Sequence, residues 1–224
     1  MKKINLFTII ITGLMTTFGC SEIDNYDIPD SGVYGEVIDN ITGQPIQTEQ
    51  PNGFRIRMLE KGYENPVPIF FWGKDDGSFR NTKVFSNQYE ILPIEGAFFV
   101  PSSQTVAVNG LTEVNFTVTP FLGISASVKT DGNDIITNYT INRTQAGDKI
   151  ITRMTVCSKN PRLNKNVFDK RVSTSLTGIS DEVILATQFS DTIKDVDLTK
   201  IKYVRVGVST SLNRYNYSAV FELN

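Results

Sequence analysis

The chain has 224 residues, a formal net charge of -2 and an isoelectric point of about 5.3. This mild acidity excludes the strongly basic surface that nucleic-acid-binding domains need. The sequence contains no histidine, which excludes histidine-dependent triads, imidazole general bases and ordinary zinc hydrolase sites. Charged residues at 21% and hydrophobic residues at 40% predict an ordinary globular protein.

The N-terminus predicts a lipoprotein signal peptide over residues 1–19. Two lysines precede an apolar segment, residues 4–15, that is too short to span a bilayer. Gly19 and Cys20 follow, and this arrangement resembles a bacterial lipobox. The resemblance implies that Cys20 becomes the acylated N-terminus and anchors the protein to a membrane. The alternative is that Cys20 is incidental and that ordinary signal peptidase cuts nearby.

Residues 20–30 are polar and are predicted to form the acylated cysteine and a flexible tether. The acidic run at 21–27 resembles the signal that sends some lipoproteins to the outer face of the outer membrane. It implies a lipid-anchored protein at the cell surface, and a solvated tether is the alternative. The other cysteine, Cys157, lies in a strand-like run and is expected to be a buried core thiol.

Two stretches define the first predicted domain, residues 31–121. In the first, a strand over residues 33–38 stops at Asp39-Asn40, and Gly43 is expected to take a positive φ. In the second, the turn pair Asp76-Gly77 opens a strand, and a Tyr-x-Ile strand follows at 89–91. The pattern G-x-V-x-D-x-x-T-G-x-P with D-G-S-F resembles the carboxypeptidase-regulatory-like family, which implies a transthyretin-like β-sandwich, usually an accessory module.

Short strands with turn signals continue through both halves of the chain. In the first domain they are predicted at 54–59, 69–72, 89–92, 97–100, 104–108 and 114–119, with a turn at 87–88 and an interruption at 93–96. Residues 120–123 mark the boundary. The second domain, 122–224, has strands predicted at 124–129, 135–141, 149–157, 182–189, 203–208 and 217–223 and a polar loop at 160–170.

The last two strands resemble the final hairpin of an immunoglobulin-like or fibronectin type III sandwich. No segment has a sustained helical period. The predicted fold class is therefore all-β, with two consecutive β-sandwich domains, the first transthyretin-like and the second immunoglobulin or fibronectin III-like.

As a whole, the chain resembles a two-domain lipoprotein family of unknown function. Genes of that family lie beside SusC/SusD-type outer-membrane glycan importers. The resemblance implies capture of a polysaccharide or oligosaccharide at the cell surface, with importer components as partners. It implies no cofactor.

Two acidic sequences are candidates for other chemistry. Asp75 and Asp76 are the obvious carboxylate pair for glycoside hydrolysis, but a D-G turn explains them. The segment 131–134 has oxygen ligands for calcium, and a hairpin turn explains it equally well. We therefore expect neither catalysis nor a metal site.

Aromatic side chains are better candidates, because sugar-binding sites combine apolar platforms with a few polar groups. Phe70 and Trp72 share one face of a predicted strand and Phe71 takes the other. For Trp72 the sequence favours the core over a ligand platform, because burying an aromatic ring contributes roughly 1.5–3 kcal/mol. The candidate carbohydrate-binding residues are Trp72, Phe70, Tyr63, Phe98, Tyr215 and Tyr217.

The sequence thus favours a non-catalytic glycan-binding accessory lipoprotein. The alternatives are a structural or adhesive, pilus-like subunit and a scaffold whose sheet edges pair with a partner protein.

Overall fold

The N-terminal sandwich, residues 31–120, consists of short strands arranged in two sheets. The computed structural model describes residues 27–223, so the predicted signal peptide and acylated Cys20 lie outside the described residues. The strands are β1 Ser31–Asp39, β2 Arg55–Glu60, β3 Ile69–Trp72, β4 Ser78–Val84, β5 Asn87–Ile94, β6 Phe98–Phe99, β7 Gln104–Val108, β8 Leu111–Glu113 and β9 Phe116–Pro120. One sheet has the order β4-β1-β9-β6, with β8 also paired to β1, and the other has the order β3-β2-β5-β7.

Alternation along these strands builds the core between the two sheets. Ile56 and Met58 of β2 are fully buried, whereas Arg55 and Arg57 beside them are partly exposed. The rings of Phe79 and Phe116 meet in this core with their centroids 6.3 Å apart. The sandwich is therefore held by the apolar alternation that the sequence displays.

The Gly35 position allows β1 and the end of β8 to approach closely. A Cβ atom at Gly35 would lie 1.9 Å from the carbonyl oxygen of Val114. The predicted turn after β1 also forms, and Gly43 has a φ of 67°. At the other end of the strand, Ser31 and Ser86 both donate hydrogen bonds to the Asp30 carboxylate.

The C-terminal sandwich, residues 123–222, also has two sheets. Its elements are β10 Gly123–Asp131, β11 Asp134–Asn142, β12 Ile150–Ser158, β13 Lys170–Ser175, α1 Asp181–Ala186, β14 Gln188–Ile193, β15 Tyr203–Thr210, β16 Tyr215–Tyr217 and β17 Phe221–Glu222. The sheet orders are β10-β11-β14 and β13-β12-β15-β16, with β17 also paired to β15. This is a strand order of the immunoglobulin and fibronectin type III kind.

The predicted all-β fold class is confirmed, with three local corrections in the C-terminal sandwich. The predicted strand 182–189 is the helix α1 followed by β14, because Ser180 caps the helix by accepting the N–H of Val183. The predicted loop 160–170 leads directly into β13, which was missed. The predicted strand 217–223 is divided into β16 and β17, because the Ser218 hydroxyl accepts the N–H of Val206.

In the N-terminal sandwich, the predicted turn at 87–88 and the interruption from Pro93 are wrong. Asn87 and Gln88 pair with β7, and Pro93 continues β5 opposite Ile56. The β7 pairing ends at Ile91. Pro93 therefore lies where β5 has a free side and needs no N–H donor for the ladder.

A polar network is buried inside the C-terminal sandwich. Tyr139 and Thr155 donate hydrogen bonds of 2.7 and 3.0 Å to the Asp191 carboxylate, and Arg153 forms an ion pair with it. Burial and the adjacent carboxylate raise the pKa of Tyr139, so its hydroxyl remains a donor. The carboxylate is thus buried with all its charge compensated.

Arg205 of β15 connects the two sandwiches and is only 1% exposed. Its guanidinium donates to the carbonyl oxygens of Thr48 (2.8 Å) and Ser218 (3.0 Å) and to the side chain of Gln47 (3.3 Å). Its Cζ lies 4.5 Å from the centroid of the Tyr217 ring. Burial lowers the pKa of Arg205 to about 10, which leaves the side chain charged at neutral pH.

Apolar contacts continue across the same junction. The rings of Phe99 and Phe121 pack edge-to-face with centroids 5.0 Å apart, and Ala97 lies in the core of the C-terminal sandwich. The Asn216 side chain donates to the carbonyl of Ala97 at 2.8 Å and accepts the N–H of Leu122 at 3.1 Å. The two sandwiches therefore share a packed interface.

Within residues 27–223, no helix has the length and apolar composition needed to cross a bilayer.

Replacing Arg205 with alanine should lower the free energy of unfolding by about 3 kcal/mol, because buried carbonyls lose their donors and a cavity remains. Denaturation with guanidinium chloride, monitored by circular dichroism, measures this loss of stability. Arg80→Ala is the matched control, because Arg80 is exposed on β4 and should change stability by less than about 0.5 kcal/mol. Equal effects of the two substitutions would contradict the role of Arg205.

Cys157 is fully buried, as the sequence predicts, and burial raises the pKa of its thiol. In a Cys20→Ser variant, the remaining thiol should react with Ellman's reagent only after denaturation. Rapid reaction of the native protein would show that β12 opens or that Cys157 is accessible.

Candidate binding cleft between the sandwiches

The edge strand β3 presents two aromatic rings to solvent. Phe70 and Trp72 are each 43% exposed, whereas Phe71 turns inward and packs 6.2 Å from the ring of Phe79. The predicted shared face of Phe70 and Trp72 is therefore present. The preference for a core position of Trp72 is wrong, because the side chain of Phe71 points into the core and alternation places Trp72 on the opposite, outer face of the sheet.

Arg55 of β2 supports both exposed rings. Its Cζ lies 4.6 Å from the Phe70 centroid and 5.3 Å from the Trp72 centroid. The same guanidinium forms an ion pair with Glu95. The Arg55 guanidinium therefore packs against both aromatic rings, and its own position is fixed by the Glu95 carboxylate.

Trp72 lines a cleft of about 260 Å³ between the two sandwiches. Residues of both sandwiches form its wall, among them the hairpin turn that joins β15 and β16. The lining residues are Thr48, Glu49, Asn52, Gly53, Trp72, Glu95 and Ala97 from the N-terminal sandwich and Lys165, Leu212, Asn213, Arg214 and Tyr215 from the C-terminal sandwich.

Glu49 is a buried carboxylate in this cleft and is only 4% exposed. It accepts a 2.6 Å hydrogen bond from the Tyr217 hydroxyl and pairs with the Lys165 ammonium at 3.1 Å. Burial raises the pKa of Tyr217, and the nearby Glu49 charge raises it further, so the hydroxyl remains protonated. Lys165 also lies 5.1 Å from the centroid of the Tyr215 ring, which stacks on Tyr217.

Several residues that line the cleft have a positive φ, which is unusual for residues other than glycine. Of four non-glycine residues with positive φ between residues 27 and 223, three line this cleft: Asn52 at 73°, Glu95 at 62° and Asn213 at 56°. Asparagine tolerates this region well, but glutamate does so at a cost. Backbone strain of this kind clusters at functional sites, where the surrounding structure maintains it.

The structure places the candidate aromatic residues in four different settings. Trp72 and Tyr215, which are far apart in sequence, line the same cleft, and Phe70 lies beside Trp72 on β3. Tyr217 is 6% exposed and packs behind Tyr215. Phe98 is 2% exposed and packs against Phe54, so neither Tyr217 nor Phe98 is at the surface. Tyr63 is 64% exposed and is not part of the cleft wall.

Sequence reasoning missed most of the polar cleft residues. Asn213 and Arg214 lie in a hairpin turn, a setting that the sequence does signal. Glu49 and Lys165 carried no signal, because each is an ordinary charged residue in a loop until the fold brings them together.

The acidic sequences considered for other chemistry form turns. The Asp76 carboxylate accepts the backbone N–H of Ser78 at 3.0 Å and its hydroxyl at 2.7 Å. Burial alone would raise the pKa of Asp76, but these hydrogen bonds outweigh it and lower the pKa. Asp131 and Asp134 close the β10–β11 hairpin. Across residues 27–223, no three Asp, Glu or Cys side chains converge as a metal-binding group.

Residues 31–119 match the family described as "Protein of unknown function (DUF3823) N-terminal domain". The N-terminal sandwich is therefore similar to the N-terminal domain of that family over nearly its whole length. A comparison with curated proteins found no match.

Solved structures share the fold over nearly their whole length. A DUF3823 family protein from Bacteroides uniformis is 22% identical with a TM-score of 0.75, over 87% of this chain and 99% of that one. A DUF3823 family protein from Parabacteroides merdae is 24% identical with a TM-score of 0.73, over 88% and 100%. A candidate carbohydrate-binding protein from Bacteroides uniformis is 20% identical with a TM-score of 0.69, over 88% and 99%. These similarities establish the fold.

Trp72 is the one tryptophan of the chain, so intrinsic fluorescence reports directly on the cleft. We expect efficient quenching by acrylamide in the native protein, because the side chain is half-exposed. Native quenching as weak as that of a buried indole would contradict the position of Trp72. Protection from quenching by an added compound would identify that compound as a ligand of the cleft.

Proposed function

We propose that this protein is a non-catalytic glycan-binding protein and that the cleft between its sandwiches is the binding site. The observation that carries the proposal is the exposed Trp72, which shares a cleft with Tyr215 of the other sandwich. Sugar rings present apolar C–H faces that pack on such aromatic side chains. The amides of Asn52 and Asn213 supply hydrogen-bonding groups for hydroxyls in the same cleft.

The exposure of the β3 aromatic rings supports this proposal. Burying a large apolar side chain contributes roughly 1.5–3 kcal/mol, so leaving Phe70 and Trp72 half-exposed gives up stability. Arg55 and Glu95 hold the rings in a fixed orientation. A rigid aromatic platform loses little conformational freedom on binding, which favours affinity.

The size of the cleft fits a short part of a glycan. Its volume of about 260 Å³ is close to the lower end of small-molecule sites, roughly 300–1,000 Å³. We therefore propose that the cleft takes one end or a short segment of the glycan, with Phe70 available for an adjoining sugar. The candidate carbohydrate-binding protein from Bacteroides uniformis supports the same ligand class through its shared fold.

We also propose that the protein is an outer-membrane lipoprotein at the cell surface, anchored through Cys20, and an accessory of a polysaccharide-uptake system. The lipobox-like sequence before Cys20 and the acidic residues after it support this location. A Cys20→Ala variant should be lost from the outer-membrane fraction. Retention of that variant in the membrane would contradict anchoring through Cys20.

Calorimetry against a panel of neutral and acidic polysaccharides tests glycan binding. We expect binding to one glycan class, with at least about tenfold weaker affinity for Trp72→Ala, since a lost aromatic contact of ~1.4 kcal/mol corresponds to that factor. Tyr215→Ala should weaken the same interaction.

Phe85→Ala is the matched control, because Phe85 is an exposed aromatic residue, 45% accessible, outside the cleft wall. Its affinity should equal that of the unmodified protein. Absence of binding to every glycan, or equal losses in Trp72→Ala and Phe85→Ala, would refute the proposed site.

A second candidate function is a scaffold that pairs with a partner strand along β3. The Gly73 N–H donates to Phe54 at 3.0 Å, and the alternation of an antiparallel ladder then turns the N–H of Phe70 outward. Phe70→Pro removes this donor and leaves Trp72 in place. Loss of a protein partner in Phe70→Pro, with no glycan bound by the unmodified protein, would favour the scaffold.

A further inference from the structure

Within the proposed glycan-binding function, on which this inference rests, the charges of the cleft define a narrower ligand class. We infer that the cleft selects a glycan whose sugar residue carries a carboxylate or a sulfate, and that Arg214 binds this anionic group. The protein itself already neutralises some of the charges in the cleft, and a ligand meets only the charge that remains.

Both carboxylates of the cleft are neutralised internally. Glu49 pairs with Lys165 at 3.1 Å and accepts the Tyr217 hydroxyl at 2.6 Å, and it is almost fully buried. Glu95 forms an ion pair with Arg55 beneath the aromatic platform. Neither carboxylate therefore adds an uncompensated negative charge to the space that a ligand occupies.

Arg214 is the remaining charged residue of the cleft wall. Within residues 27–223, no carboxylate lies within 4.0 Å of its guanidinium. It is partly buried, so its charge is less hydrated than that of a fully exposed arginine. Lys165 neutralises Glu49, and Arg55, which lies outside the lining, neutralises Glu95. With both pairs counted, the charge of Arg214 is left as one positive charge in excess.

The hairpin turn holds the backbone of Arg214 in place. The Thr210 N–H donates to the Arg214 carbonyl at 3.4 Å, and the Asn213 N–H donates to the Thr210 carbonyl at 2.9 Å. The next residue, Tyr215, is fixed by stacking on Tyr217. A cation and an aromatic ring are therefore presented together from one short turn.

This combination suits an acidic sugar. A guanidinium donates two parallel hydrogen bonds to a carboxylate or sulfate, and such charge-assisted bonds are roughly twice as strong as neutral ones. The ring of the same sugar can pack on Trp72 or Tyr215, which are apolar surfaces in the same cleft. A neutral sugar would use the aromatic rings but leave the excess positive charge without a partner.

Matched glycans separate the charge from the sugar. Polygalacturonate and its fully methyl-esterified form share one backbone and differ in the carboxylate, and chondroitin sulfate with desulfated chondroitin tests the sulfate. Isothermal titration calorimetry of the purified protein should give at least about tenfold tighter binding to polygalacturonate than to its methyl ester, or to chondroitin sulfate than to desulfated chondroitin, which keeps its carboxylates. A tenfold difference is a typical effect for a hydrogen bond to a charged group.

Arg214→Gln should reduce this preference to near equality, and Arg214→Lys, which keeps the charge but loses the paired donors, should retain part of it. Arg80→Gln is the matched control, because it removes an exposed arginine that is not part of the cleft wall. Circular dichroism confirms that each variant is folded. The preference in Arg80→Gln should equal that of the unmodified protein.

The outcomes separate this inference from the function on which it rests. Equal affinity for both members of each pair, binding of neutral glycans alone, or the same preference in Arg214→Gln and Arg80→Gln would overturn the role of Arg214 and leave glycan binding intact. If the protein bound no glycan, neutral or acidic, both the role of Arg214 and the proposed glycan-binding function would be refuted.

Discussion

The buried guanidinium of Arg205 is the interaction on which the arrangement of the two sandwiches depends. This guanidinium is buried away from water and has no carboxylate in direct contact. Its charge is stabilised by the carbonyl oxygens of Thr48 and Ser218 and by the Tyr217 ring. Such a charge tolerates little displacement, because each lost hydrogen bond leaves a desolvated donor. The contacts therefore restrict how the sandwiches can move against each other.

The cleft follows directly from this restriction. Tyr217 receives the Arg205 cation on its ring and donates its hydroxyl to Glu49, which in turn binds Lys165. Tyr215 stacks on Tyr217, so one wall of the cleft is continuous with the interface. A site assembled in this way is preorganised, and a ligand does not have to bring the two walls together.

The sequence predicts those parts of the structure that local chemistry determines. The strand ending at Asp39, the glycine turn at Gly43 and the alternation of β3 follow from short-range rules. The helix α1 was missed because six residues are too few for a helical period, although Ser180 with two acidic residues after it is a capping signal. The exposure of Trp72 and the Glu49–Tyr217 bond, 168 residues apart, depend on tertiary pairing that no local pattern contains.

The position of Asp30 has a geometric consequence. Asp30 binds Ser31 and Ser86 next to the start of β5, whereas Glu95 of the cleft comes just after its end. Eight strand residues separate these points by about 27 Å. The residues before β1 therefore enter the N-terminal sandwich at one end of its long axis, and the cleft lies near the opposite end. A protein attached to a surface by residues before Asp30 would hold its cleft outward, at the far end of a rigid spacer formed by its own first sandwich.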